Sequence, residues 1–255
     1  MFSWEHLKDH LDLCCYFVST GSIQITPAFI PVVNLPYFQK GVRRVYLTAT
    51  MLGEDAFLRT FGRDLGHVVK PKTTAGECER LILFPGLKLG FENDVDETKK
   101  IIDTNKVLIL TPNNYQATQW SDIGSLPNRK EIIAAVTAFK NSNGDDKLIL
   151  AGRYDGIDLP GDTCRYMVLD GLPSGTSLFD KYLWSALNLS NTLRSIIGCR
   201  IVQSLGRISR GMSDYGVVLI TQKAYVNWLL TPKNMASLPE FVQKQIQLGI
   251  QVTDG

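Results

Sequence analysis

Apolar positions recur at two different periods along this 255-residue chain. At the start, Trp4, Leu7, Leu11, Cys14/Cys15 and Val18 fall at helical spacing, which predicts an amphipathic helix over 2–18. Gly21, Pro27, Pro31, Pro36 and Gly41 divide 19–41 into short extended pieces and turns. Val42–Thr48 reads as a strand, and Glu54–Phe61 as a short helix ending before Gly62. Residues 62–80, with Gly66, Pro71 and Gly76, lack an apolar period and read as a linker. Beyond it, continuous apolar runs alternate with helical patterns. Leu81–Phe84, Lys106–Thr111, Leu148–Ala151, Tyr166–Asp170 and Gly216–Thr221 predict strands. Val95–Thr104, Asn128–Lys140 and a long segment within Asn191–Arg210 predict helices. Asn128 and Glu131, three apart, resemble a capping box. Strands that are apolar throughout are buried on both faces, so the pattern implies an α/β fold with a mostly parallel sheet flanked by helices.

Composition narrows the classes. At 44% hydrophobic residues, the chain can bury a sizeable core without staples. A net charge of +2 gives no global attraction to nucleic acid, so any such contact needs a local surface. Cys14, Cys15, Cys78, Cys164 and Cys199 are odd in number and widely spaced, which suits reduced thiols rather than a disulfide framework or a zinc site. No apolar run approaches the roughly 18 residues of a membrane span. Glu5, Asp9 and Asp12 interrupt the first apolar stretch, unlike a secretory signal. A cytoplasmic protein without a membrane partner is the resulting expectation.

Three segments carry candidate chemistry. Continued as a helix, Gln203-Ser-Leu-Gly-Arg-Ile-Ser-Arg210 puts Gln203, Gly206, Arg207 and Arg210 on one face. Ile197, Ile201, Leu205 and Ile208 fall on the other, available to dock on the sheet. Two guanidinium groups beside an amide suit a polyphosphate, and a glycine there would admit another backbone. A solvated basic helix face is the plainer alternative. The loop after Leu148–Ala151 holds Gly152, Gly156 and Gly161 with Asp155, Asp158 and Asp162. Loops leaving the carboxyl ends of parallel strands are where such sheets bind ligands, although a plain βα turn also favours Gly and Asp. Thr48-Ala-Thr50, at the end of the first strand, could relay a hydrogen-bond change between domains or simply cap the next helix.

Taken in order, Thr48-Ala-Thr-Met-Leu52, Leu110-Thr-Pro112, Tyr154-Asp-Gly-Ile-Asp-Leu-Pro-Gly-Asp162 and Gln203-x-x-Gly-Arg-x-x-Arg210, followed by Asp214-Tyr-Gly216, resemble motifs III, IV, V and VI of superfamily 2 ATP-dependent helicases. The nearest likeness is to the DEAD/DEAH-type, XPD/DinG-like group, over roughly residues 40–225. The resemblance implies a RecA-like helicase domain 2 over 71–255, preceded at 1–70 by the tail of RecA-like domain 1. It also implies arginine fingers at Arg207 and Arg210 and further ATP contacts at Gln203, Gly206, Gly156 and Asp158. Thr48 and Thr50 would couple hydrolysis to movement. Asn113, Asn114, Arg153 and Arg165 would contact single-stranded nucleic acid, DNA rather than RNA. Trp120, Trp184 and Trp228 could stack on bases, core packing being the plainer reading for each.

The departures matter as much. The sequence has no G-x-x-x-x-G-K-[ST] phosphate loop and no acidic D-E-x-H/D box. ATP and Mg²⁺ would then be bound chiefly by a separate N-terminal RecA-like lobe, and the chain alone would hydrolyse no ATP. A non-catalytic RecA-like interaction domain derived from a helicase is the alternative. An unrelated nucleotide enzyme is disfavoured because Gly86 to Gly90 lacks G-x-G-x-x-G spacing.

Overall fold

The computed structural model describes residues 4–27, 32, 35–39, 41–47, 54–64, 66–69, 78–154, 157, 159, 161–175, 177–185, 190–209 and 214–254. The chain divides into two units, residues 1–70 with 177–190, and residues 71–176 with 191–255. The segment 177–190, expected within the second domain, groups with the first unit.

In the first unit, helix α1 covers only Trp4–Leu7, and a single 3-10 turn follows at Leu11–Leu13. Cys14–Val18 is strand β1, paired antiparallel with β2, Ile23–Pro27. The helix expected over 2–18 is therefore corrected. Its second half, Cys-Cys-Tyr-Phe-Val, is rich in residues that favour a pleated surface, and a hairpin partner five residues on outweighs the helical period. Residues 42–47 form no strand, because among the described residues no neighbouring backbone pairs with them. They are held through side chains instead. Tyr46 packs on Phe57 and Phe61 of α2 (Glu54–Phe61), with ring centroids 4.9 and 4.6 Å away.

The second unit is a five-stranded sheet of order β3-β7-β6-β4-β5, every pair parallel. Its strands are β3 Glu79–Leu83, β4 Val107–Thr111, β5 Lys147–Ala151, β6 Tyr166–Asp170 and β7 Tyr215–Thr221. The helices that follow α2 are α3 Pro85–Leu89, α4 Asp94–Ile101, α5 Asn114–Ala117, α6 Ile132–Asn141, α7 Leu178–Ser185, α8 Ser190–Leu205, α9 Lys223–Leu230, α10 Pro232–Met235 and α11 Glu240–Asp254. Of these, α7 belongs to the first unit. Helix α6 starts four residues later than the sequence pattern suggests. One half of the Asn128–Glu131 capping box is present, with Asn128 N donating to Glu131 Oε2 at 3.2 Å, while Asn128 Oδ1 accepts from Lys130 N at 3.0 Å, and the turn closes ahead of the helix.

Alternation along the strands builds two cores. Leu108, Leu110, Leu148, Leu150, Met167, Leu169, Val218 and Ile220 meet Ile197, Ile201 and Leu205 of α8 and Val242 and Ile246 of α11. The intervening Val107, Ile109, Ile149, Val168 and Leu219 meet Ile102, Ala117 and Trp120 on the opposite face. Coverage on both faces is what the uniformly apolar strands require. Helix α11 also runs along the edge strand β3. Gln245 Nε2 donates to Cys78 O at 2.8 Å, and Phe84 N donates to Thr253 Oγ1 at 3.3 Å, so side chains satisfy edge groups that would otherwise lie open. Among the described residues, no helix is long and apolar enough to cross a membrane.

Candidate functional site

Helix α8 ends at Leu205, not Arg210. Gly206 and Arg207 form the turn beyond it, with Gly206 N donating to Val202 O at 3.1 Å and Arg207 N to Ser204 O at 3.0 Å. The single helical face expected for Gln203, Gly206, Arg207 and Arg210 is thus not formed. The apolar half of that expectation does hold, since Ile197, Ile201, Leu205 and Ile208 are all buried in the core. A helix C-terminus leaves carbonyls without partners, and here Arg80 of β3 takes the last of them. Its Nε donates to Leu205 O at 3.1 Å and to Ser209 Oγ at 2.7 Å, and its Nη2 to Ser209 O at 3.4 Å. These contacts pull the chain out of helical register. Arg80 escaped the sequence reading; the one available signal was a cation inside the apolar strand Glu79-Arg-Leu-Ile-Leu83.

A Cβ added at Gly206 would meet Gln203 O at 3.5 Å and Val202 O at 3.7 Å, both ordinary contacts. Among the described residues, no other segment's backbone presses on this glycine, contrary to the close approach expected of it. Gln203 sits exposed on the last turn of α8.

Arg207 is engaged with the loop that joins β5 to β6. Its Nε and Nη2 donate to Tyr154 O at 3.0 and 2.7 Å, and its Nη1 to Ile157 O at 2.6 Å. Its own carbonyl accepts from Leu159 N at 3.0 Å. Ile157 and Leu159 are buried in the core beside it. The Tyr154 ring packs partly buried against the same core, and desolvation raises its hydroxyl well above the usual tyrosine range. The guanidinium therefore bridges two carbonyls of the loop, a task suited to its rigid fork of donors. Replacing Arg207 with Ala should speed amide exchange of residues 155–162 by about tenfold or more, since charge-assisted bonds of this kind contribute roughly 1.5–3 kcal/mol. Arg207→Lys should restore little protection, because an ammonium lacks the planar, pre-organised fork that meets both carbonyls at once. Unchanged exchange in the alanine variant would mean that packing alone holds the loop.

Four residues were expected to meet nucleic acid, and the structure places them at two ends of the sheet. Asn113, Asn114 and Arg153 lie just past the carboxyl ends of β4 and β5. The two turns are joined there, with Gly152 N donating to Thr111 O at 2.7 Å. Asn113 has its side chain committed: Oδ1 accepts from Gln116 N and Nδ2 donates to Gln116 Oε1, both at 2.9 Å. It caps α5. Asn114 is exposed and Arg153 half-buried. Arg165 lies at the opposite edge, before β6, about 16 Å away across a five-residue strand. It is bound to Asp214 and to Asp162 (2.7 Å), and its guanidinium lies 4.0 Å from the centre of the Tyr215 ring. Trp120 and Trp228 are buried in the core. Trp120 Nε1 donates to the buried carboxylate of Asp170 at 2.8 Å, and Thr221 Oγ1 donates to the same group at 2.7 Å, tying together the carboxyl ends of β6 and β7. Thr48, Thr50, Gly156, Asp158, Arg210 and the Trp184 side chain lie outside the described residues. Among those described, no group of three or more His, Cys, Asp or Glu could hold a metal ion.

The sequence matches no family model and no curated protein. The fold does match solved structures. One titled an XPD helicase superposes with a TM-score of 0.61 at 16% identity, covering 92% of this chain and 48% of that one. One titled as the apo form of XPD gives a TM-score of 0.62 at 16% identity, covering 91% of this chain and 54% of that one. The RecA-like parallel sheet flanked by helices is thus the architecture of part of these proteins, and the chain spans about half their length.

Proposed function

We propose that this chain is the C-terminal motor lobe of an ATP-driven nucleic-acid helicase or translocase, acting on single strands, DNA in preference to RNA. The observation that carries this reading is the path of the loop from β5 to β6. It begins at the edge bearing Arg153 and Asn114 and passes under the guanidinium of Arg207. A nucleotide competing for Arg207 would loosen that loop, so a change at the nucleotide reaches the strand-facing edge through one connection.

In this reading, Gln203, Gly206, Gly156 and Asp158 border the nucleotide. Arg207 and Arg210 offset the charge that develops on the transferring phosphoryl group. The described side chains do not form a carboxylate cage for Mg²⁺. The ion would sit on the phosphates and on the N-terminal RecA-like lobe, which would also supply the phosphate loop; when bound, it neutralises phosphate charge. Thr48 and Thr50 would pass the closure of the two lobes into strand movement. Arg165, locked between Asp162 and Asp214 at the far edge, serves instead to brace the start of β6 and β7.

The test is ATP turnover by the chain joined to an N-terminal lobe carrying a phosphate loop, with and without single-stranded DNA or RNA. Turnover stimulated by the strand, and none from the chain alone, is expected. Turnover by the chain alone would overturn the division of labour between lobes. A joined protein that binds partners but hydrolyses nothing would make this a non-catalytic interaction domain.

A further inference from the structure

Of the aromatic residues described in the second unit, two are largely exposed, Tyr115 at 84% and Tyr215 at 56%. The Tyr215 ring has its partner, because the Arg165 guanidinium lies over it at 4.0 Å. Among the described residues, no aromatic or cationic group lies over Tyr115. Burial is the usual fate of such a ring in this unit, as Trp120, Tyr225 and Phe84 show.

The mounting of Tyr115 is rigid although its ring is free. Asn113 Oδ1 accepts from Gln116 N and Asn113 Nδ2 donates to Gln116 Oε1, both at 2.9 Å. Thr111 Oγ1 donates to Asn113 O at 3.0 Å, and Ala117 N to the same oxygen at 3.1 Å. Thr118 Oγ1 donates to the carbonyl of Tyr115 itself at 2.6 Å. The adjoining turn, which carries Arg153, is fixed to this one through Gly152 N and Thr111 O at 2.7 Å. None of these bonds uses the ring, so the backbone is ordered for whatever the ring meets.

The surroundings decide the class of ligand. Tyr115 stands in the run Asn-Asn-Tyr-Gln-Ala-Thr-Gln, and Asn114, Thr118 and Gln119 are exposed. A protein partner would call for a contiguous apolar patch. A single planar ring among amides, with a guanidinium-bearing turn alongside, matches a nucleobase with its phosphate nearby. We propose that Tyr115 is a base-stacking platform for single-stranded nucleic acid at the carboxyl edge of β4 and β5. This inference rests on the nucleic-acid reading above and adds to it a contact with the base rather than the backbone.

The test uses the complete chain and a fluorescent oligothymidine of about twelve residues, beside an abasic strand of the same length, with affinity read by anisotropy. Tyr115→Ala should weaken binding to the thymidine strand by about 5- to 100-fold and leave the abasic strand unaffected, because aromatic stacking acts on the base. Tyr115→Trp should retain or tighten binding, and Tyr115→Leu, apolar but not planar, should behave like the alanine variant. Matching unfolding temperatures of the variants would exclude a folding defect. Equal loss on both strands, or no loss on either, would overturn the stacking role while leaving the motor-lobe reading in place. If the unaltered chain binds neither strand, both are overturned.

Discussion

Arg210→Ala, in the chain joined to an N-terminal RecA-like lobe, is expected to lower ATP turnover by about 10³ or more and to leave single-strand affinity within about twofold. The magnitude follows from what an arginine does opposite a transferring phosphoryl group. Charge spreads onto the equatorial oxygens in the transition state, and a fixed cation in a site closed to water stabilises that charge more than it stabilises bound ATP. Lysine at this position should recover only a small part of the rate, since a point charge cannot reproduce the paired donors of a guanidinium. In the proposed reading strand binding falls to Asn114, Arg153 and Tyr115 rather than to Arg210, and it should not respond. Single-turnover ATP hydrolysis and oligonucleotide anisotropy on the same preparation read the two effects separately. An unaffected rate would remove Arg210 from the mechanism. Arg207 should behave differently from Arg210. Because it also holds Tyr154 O and Ile157 O, its loss should alter the exchange of the 155–162 loop as well as turnover.

Gly249→Ala should have the largest effect on stability. A Cβ at this position would lie 1.7 Å from Ile82 O and 2.8 Å from Ile82 C. Both atoms belong to the backbone of β3, which is hydrogen-bonded into the sheet, so the strand cannot yield and α11 must lift. Lifting it stretches the bonds from Gln245 Nε2 to Cys78 O and from Phe84 N to Thr253 Oγ1, all within buried residues or carbonyls beside them. Overpacking of this kind costs about 1–3 kcal/mol, and each buried polar group left without a partner costs about 1–3 kcal/mol more. The gain from replacing a helical glycine by alanine, about 1 kcal/mol, offsets only part of this. For a unit of this size the melting temperature should therefore fall by roughly 10 °C. Gly206→Ala is the control: its Cβ would meet nothing nearer than 3.5 Å, so stability should be nearly unchanged. Thermal unfolding followed by circular dichroism compares the two. Equal stability of Gly249→Ala and the unaltered chain would show that α11 does not press on β3 this closely.

The two glycines also show where reading along the chain succeeds and where it fails. Gly206 stands out because of its place in a motif, Gly249 does not stand out at all, and it is Gly249 whose backbone meets another segment. The contact joins residues 167 positions apart, and no local pattern signals it. Arg80 is similar: its partners on Leu205 and Ser209 are 125 and 129 positions away. The spacing made Arg207 a candidate, yet its hold on Tyr154 and Ile157 required the loop and the turn to be seen together.

What the sequence determined by itself is the sheet. Four of the five strands of the second unit are apolar runs buried along most of their length, with β3 buried fully only at Ile82, and that burial dominates any local alternative. Their residues lie close to where the pattern put them, and the parallel α/β class follows, whereas the RecA-like likeness rested on the motifs. Only the tertiary structure decided the segments whose state depends on a partner. Cys14–Val18 became a strand because Ile23–Pro27 pairs with it, and Val42–Leu47 did not because no described strand does. Helix α8 ends at Leu205, where a guanidinium from β3 binds the last carbonyl. Backbone hydrogen bonds and helix ends must be satisfied by some group, and where that group lies far away in sequence, only the assembled fold can name it.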